Sequence, residues 1–354
     1  MALGTREAES RAASLAGEVP TTIRSTPSLP RPAAGEDVQA RTPLVSVSLS
    51  RVGVTGVEKV IRIHDELFFA RLECFVDLDS NQKGAHMSRF EEVVNEAIGE
   101  VVLKESPFRA ETLAQQIAEI VRERQDALRA EVTIAARYPE HKPAPVSGVR
   151  TQEIYTLYGR ATALETGTRR MVGVSATGIT ACPCAQELVA ARASERLRAE
   201  HFTEEQIERV FEHVPVATHN QRGLGTLHIG CLEECDTEID ASTLLDIVEG
   251  SMSSEIYELM KRVDEVEVVE KAHRRPRFVE DCVREMIAGV VGRFPELHDA
   301  SFVSARQENL ETIHQHNVVA ERHGLLSELR AELASGAPAE RQTSLDEWLS
   351  AGAR

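Results

Sequence analysis

Two thiols bracket a proline in the segment Val174 to Gln186, which reads V-S-A-T-G-I-T-A-C-P-C-A-Q. Pro183 fixes its own φ and biases Cys182 toward extended geometry. Cys182 and Cys184 then point to different sides, so one is expected to bind a metal and the other to support it or react. The bland alternative is a buried turn with two inert cysteines. Thirty-odd residues on, Ala217 to Arg222 reads A-T-H-N-Q-R. His219 stands there among polar residues after Pro215, at the start of an expected strand. Neutral imidazole is a common ligand for zinc and iron. Asn220, Gln221 and Arg222 could support that ligand or contact a substrate.

The carboxylates divide into two kinds. Asp264, Glu265, Glu267 and Glu270 form a dense patch that reads mostly as a solvated face. Glu280 instead falls in an apolar helical stripe of Phe278, Val279, Cys282, Val283, Met286 and Ile287. A carboxylate there needs a partner, and an N–H edge like that of guanine would suit it. Glu311 and His314 are three apart, a spacing at which both converge on one face. Glu with His is a common pair for moving protons on and off a heterocycle. His316 could be a third member, and a solvent-exposed turn is the plain alternative. His86, Ser88 and Arg89 sit at an expected helix N-terminus, where N–H groups and a cation favour an anion. Cys231 and Cys235 could join Cys182 and Cys184 in a structural zinc cluster.

These residues need a framework, and the bulk numbers allow one. The chain has 354 residues, 42% hydrophobic and 27% charged, as folded proteins do. Aromatics are only 4%, so the core must rest on aliphatic residues. A formal net charge of -17 argues against nucleic acid and anionic membrane partners. There is no membrane-length apolar run and no secretory signal. Six cysteines in a chain of this length are no disulfide framework, so a reducing cytoplasm is the expected compartment.

Residues 1–44 read as a disordered leader. Strands are expected over 45–64 and 67–79, then a helix from Ser88 with a Ser88/Glu91 capping box, then a helix over 109–124. Strands at 128–138 and 150–165 complete a first module, 45–165. A second module, 166–325, has strands at 168–178, 223–233 and 300–307 and helices at 241–261 and 276–293. Between its cysteines and His219 lies a helical insertion, about 185–213, with Thr203 as N-cap. Residues 326–354 read as a weakly ordered tail with one short turn at 345–349. Antiparallel strands with helices grouped on one face give an α+β fold class.

The segments G-A-H-M-S-R-F, G-I-T-A-C-P-C-A-Q, A-T-H-N-Q-R, K-R-V-D-E, F-V-E-D-C-V-R and E-T-I-H-Q-H occur in this order. Together they resemble the type IB GTP cyclohydrolases, bacterial folate-type and archaeal methanopterin-type, over most of residues 45–325. The resemblance implies a tunnelling fold (T-fold) of two tandem ββααββ-like modules with antiparallel sheets. It implies a homo-oligomer, dimer or tetramer, with active sites at subunit interfaces. It implies that GTP and water are the substrates, that the guanine imidazole ring is opened, and that formate leaves as a dihydropterin forms. Its metal would be Fe(II), Mn(II) or Zn(II). Residue by residue, it implies Cys182 (or Cys184), His219 and Glu265 around the metal and Glu280 on the guanine edge. Cys182, Glu311 and His314 would be catalytic, with His86, Ser88 and Arg89 near the phosphates. The long segment between Cys184 and His219 is similar to the archaeal branch. There the product can be a cyclic phosphate rather than 7,8-dihydroneopterin triphosphate. Two further readings stay open, a different pterin or deazapurine enzyme on the same fold and a non-catalytic zinc scaffold.

Overall fold

The computed structural model describes residues 38–63, 66–103, 109–232 and 239–351. One antiparallel sheet organises them. Its path is β1 (Leu49–Ile63), β2 (Glu66–Leu78), β3 (Arg129–Pro143), β4 (Arg150–Leu164), β5 (Gly167–Ala181), β6 (Asn220–Cys231), β8 (Phe302–Leu310) and β9 (Val318–Leu325). The short β7 (Ser254–Glu255) adds to β5 off that path.

Two buried clusters lie under the sheet. The helices α1 (Met87–Leu103) and α2 (Ala110–Gln125) follow β2. Phe90, Val93 and Val94 of α1 and Leu113, Ile117 and Val121 of α2 pack on Leu72, Cys74, Val132 and Ile134 of the strands. The second cluster is built by α5 (Ala241–Ser251) and α7 (Val279–Arg293). Leu244 and Val248 of α5 and Cys282 and Met286 of α7 meet Val174, Leu227, Ile229 and Val303. Strand alternation turns the neighbours of these residues to the opposite face. There Met171, Gly230 and Phe302 receive Trp348 of α9 (Leu345–Ser350).

The expected tandem T-fold is corrected here. The two halves do not form separate modules with their own sheets. Leu164 pairs with Gly167 across a two-residue turn at Glu165–Thr166, so the expected boundary is itself a hairpin and the sheet runs through it. The second half also departs from a ββααββ order. Its strands β5, β6, β8 and β9 are separated by α3 (Pro183–Ala199) with α4 (Glu204–His213), then by α5, β7, α6 (Arg262–Arg274) and α7.

Smaller differences follow from local physics. The helix α1 begins at Met87, so Ser88 lies inside its first turn and is not a cap. Thr203 does cap α4, accepting from Gln206 N at 3.3 Å while Gln206 Oε1 accepts from Thr203 N at 2.9 Å. The expected helix over 241–261 stops at Ser251. From there β7 and α6 follow, and α6 was not expected. The segment expected to be a weakly ordered tail carries α8 (Leu326–Ser335) and α9. The leader's first 37 residues, and Cys235, lie outside the described residues.

Candidate active site

Register places the two chemistry-bearing segments side by side. Ala181 at the end of β5 pairs with Asn220 at the start of β6. The next residue outward on each strand is Cys182 and His219. Cys182 N donates to the His219 carbonyl at 3.1 Å, and Thr218 Oγ1 donates to the Cys182 carbonyl at 2.9 Å. Cys182 is also the N-cap of α3, with extended backbone (φ -76, ψ 117) and Pro183 in the first turn. Its Sγ accepts from Ala185 N at 3.5 Å. Cys184 is exposed whereas Cys182 is half-buried. The thiols are thus in different environments, as Pro183 predicts, and Cys182 is the one beside His219.

The β8–β9 connection brings Glu311 and His314 to the same end of the sheet. Thr312 Oγ1 donates to the Asn220 carbonyl at 3.0 Å, which pins the loop after β8 against the start of β6. Glu311 Oε2 then lies 3.9 Å from His219 Nδ1, and both side chains are well sheltered, 6% and 14% exposed. The rings of His219 and His314 meet edge-on with centroids 6.5 Å apart, and His314 stacks on His316 at 5.2 Å. Cys182, His219, Glu311 and His314 are therefore one corner of the molecule.

Sequence reasoning named Gln221 as a possible support for His219 but passed over Gln186, His273 and Thr180, which also hold this corner. Gln186 Nε2 donates to the Val216 carbonyl at 2.7 Å and to the His273 carbonyl at 2.6 Å. One side chain thereby ties α3, the segment before β6 and the end of α6 together. His273 Nε2 is 3.3 Å from the Thr218 carbonyl. Gln221 faces Thr180, its partner across β5 and β6. Both are buried, and Gln221 Nε2 donates to Thr180 Oγ1 at 3.1 Å. A buried Gln in a strand is itself a signal, because its amide must find partners.

Other expected residues lie elsewhere. Glu265 is exposed on the first turn of α6. It is eight residues from His273, a helical rise of roughly 12 Å. Among the described residues no three His, Cys, Asp or Glu side chains are grouped to hold a metal ion. Cys182 and His219 offer a soft sulfur and an imidazole nitrogen on one corner, a donor pair suited to Fe(II) or Zn(II). Glu265, the expected third donor, is not on that corner within one chain. Glu280 is corrected as well: α7 starts at Val279, so its buried stripe is Val279, Cys282, Val283, Met286, Ile287 and Val290. Glu280 is exposed and needs no buried partner. It borders an open groove of about 690 Å³ with Arg284, Ile287, Arg322 and Leu329.

His86, Ser88 and Arg89 stand at the start of α1, over the first cluster. Gln125 clamps the His86 backbone, accepting from its N–H at 3.1 Å and donating to its carbonyl at 2.8 Å. Arg89 Nη1 donates to the Arg124 carbonyl at 2.7 Å, which satisfies the end of α2. The zinc-scaffold set is ruled out by register. Cys231 pairs with Arg170 at the far end of β5, eleven residues from Asn220 along β6. That is roughly 35 Å at strand rise, so Cys231 and Cys182 cannot share an ion.

A thiol, an imidazole, a buried carboxylate and a second histidine thus meet at the end of the antiparallel sheet. Residues 36–320 match the family described as type I GTP cyclohydrolase folE2. The chain belongs to the GTP cyclohydrolase family, and that description replaces the type IB label expected from sequence. Similar relatives are named GTP cyclohydrolase MptA. That of Methanococcus aeolicus is 43% identical over 307 residues, covering 84% of this chain and 99% of the relative. That of Haloarcula marismortui is 41% identical over 304 residues, covering 84% and 97%. Among solved structures, a uricase from Bacillus fastidious aligns with a TM-score of 0.42 at 10% identity, over 85% of this chain and 97% of that one. A uricase from Arthrobacter globiformis aligns at 0.44 and 8%, over 77% and 92%. These distant likenesses lend nothing to the tandem-module expectation corrected above.

Proposed function

We propose that this chain opens the imidazole ring of the guanine in GTP by hydrolysis, releases formate and gives 7,8-dihydroneopterin triphosphate. The observation that carries this reading is the meeting of Cys182, His219, Glu311 and His314 where β5, β6 and β8 end. Family membership supports it, since the relatives bear the name of that activity.

The carbon between the two imidazole nitrogens of guanine leaves as formate, its two oxygens supplied by two water molecules, one that adds to open the ring and one that hydrolyses the formamide left behind. Protons go to the two nitrogens, and the freed amine closes onto the ribose-derived chain with loss of one water. The Glu311 carboxylate takes the proton of the attacking water, and His314 returns a proton to a departing nitrogen. Glu280 reads the N–H edge of the guanine, and His86, Ser88 and Arg89 of a second copy of the chain take the phosphates at the start of its α1. A divalent metal, Fe(II), Mn(II) or Zn(II), would be held by Cys182 and His219 and supplies Lewis acidity for the hydrolytic step.

Glu265 completes the donor set from a second copy of the chain. Its helix supports this: Val263, Val266 and Val269 are each more than half exposed at helical spacing beside it, an apolar stripe that a homo-oligomer would cover. The cytoplasm is the proposed compartment, in keeping with the absence of any disulfide among the described cysteines. No helix among the described residues is long and apolar enough to cross a membrane.

The helical insertion α3–α4 between Cys182 and His219, whose length resembles the archaeal branch, favours a second outcome, the cyclic phosphate of dihydroneopterin. Mass analysis of the product decides between them. Purified chain with GTP and each metal in turn should yield formate and a pterin, and His219→Ala and Glu311→Gln should each lose most turnover. Formation of neither product with any of the three metals would refute the proposal.

A further inference from the structure

His219 has two ring nitrogens, and which one keeps its proton decides what the other can do. Two groups face Nδ1. Gln221 Oε1 is 3.1 Å away and Glu311 Oε2 is 3.9 Å away. Glu311 is a carboxylate and can only accept. Gln221 could offer either end of its amide, and the Thr180 hydroxyl could meet either end, but the Glu311 carboxylate beside Nδ1 calls for an N–H on that nitrogen, which the amide oxygen accepts. Its Nε2 then donates to Thr180 Oγ1 at 3.1 Å, with Oε1 turned to the imidazole. Thr180 is fully buried and Gln221 is 6% exposed, which leaves that amide no water to turn to. Strand pairing of Thr180 with Gln221 fixes both backbones.

We infer that Gln221 is a positioning residue for the reaction: its amide, held by Thr180, keeps the proton of neutral His219 on Nδ1 and leaves the Nε2 lone pair free for the metal. This deepens the proposed function and rests on His219 being a ligand there. The opposite amide orientation would donate to Nδ1, move the ring proton to Nε2 and remove the lone pair. Partners of this kind orient ligating imidazoles generally, and their loss costs roughly 10–100-fold in metal affinity or activity. Gln221 touches neither the purine nor the metal in this arrangement, so its effect passes through His219.

The test begins on metal-free protein with ¹⁵N-labelled histidine. Two-bond proton–nitrogen correlations report the tautomer, and comparison with His219→Ala assigns the signal. Wild type should show a proton-bearing Nδ1 and a bare Nε2. Gln221→Met should lose that pattern, and its affinity for Zn(II) should fall roughly 10–100-fold, with the KM for GTP moving far less than turnover. Gln221→Glu keeps an acceptor in place and should keep the wild-type tautomer. Thr180→Val removes the amide's anchor from the other side and should shift the tautomer the same way, which covers the case in which Gln221→Met does not fold. A wild-type ring protonated on Nε2 would overturn the inference. So would an unchanged tautomer and unchanged zinc affinity in Gln221→Met or, should that variant not fold, in Thr180→Val. Full GTP turnover by His219→Ala would instead defeat the functional reading while leaving the tautomer result standing, so the two failures are told apart.

Discussion

His228 stands on β6 opposite Gly173, with its ring 5.2 Å from that of Tyr158. A Cβ on Gly173 would fall 2.3 Å from the ring, so only glycine leaves it room. Burial, with the Arg160 charge adding to it, pushes the imidazole down to about 3. The unfolded chain takes up a proton near pH 6.5 that the folded chain refuses. Stability from this residue is therefore complete above that pH and falls as pH drops below it. His228→Gln should flatten the loss of stability between pH 7.5 and 5, measured as urea midpoints at each pH; an unchanged slope would show that His228 is charged in the fold. Legibility at this scale depended on local covalent rules. Pro183 announced the different fates of Cys182 and Cys184 because proline acts on its immediate neighbour. Glu280 was misjudged because Phe278 was counted in the stripe. Phe278 is the exposed N-cap, and without it Glu280 lies about 100° round the helix from Val279, outside the buried face.

The short helix α9 shows how an element distant in sequence becomes part of the core. Trp348, 2% exposed, stacks on Phe302 with centroids 5.5 Å apart and donates from Nε1 to the Ala300 carbonyl at 2.9 Å. The chain leading to it is tied down as well. Thr343 Oγ1 donates to Glu328 of α8 at 2.6 Å, and Ala339 N donates to Glu332 at 2.9 Å. With both ends of the connection held, α9 should unfold with the sheet and not before it. Trp348 is the chain's one tryptophan, so its emission reports this element alone. The red shift of that emission in urea should coincide with the loss of far-UV circular dichroism, and a shift at lower urea would show that α9 undocks by itself. Trp348→Ala should cost roughly 3 kcal/mol, as large-to-small changes in a core do. Elements with a strong period were legible, α2 and the capped α4 among them. The helix α6 was hidden because its buried residues, Asp264, Val268 and Ala272, include an acid and sit among exposed glutamates. Asp264 belongs inside because Val146 N, Ser147 N, Ser147 Oγ and Lys261 N all donate to its carboxylate. No local pattern announces partners more than a hundred residues away.

Across the whole molecule, the same limit explains why one sheet was expected to be two. The residues of β4 and β5 carry their own alternation, but whether the turn at Glu165–Thr166 closes a hairpin or separates modules is decided by pairing over the full length of both strands. Once closed, that hairpin makes β4 part of both buried clusters. The first cluster includes Ala161 and Ala163 of β4, and the second includes Tyr155 and Leu157 of the same strand. The proposed metal donors lie outside both clusters, at the ends of β5 and β6. A metal there adds stability only through its binding to the folded chain, unlike a structural zinc whose binding free energy is the folding free energy. Chelation with EDTA should therefore abolish GTP turnover while leaving the far-UV spectrum and a single cooperative transition, with a lower midpoint. Returning Fe(II), Mn(II) or Zn(II) should restore both activity and midpoint. Global unfolding on chelation would mean that the sheet's two clusters cannot stand without the ion, and that the corner formed by Cys182 and His219 is a structural joint before it is a site of chemistry.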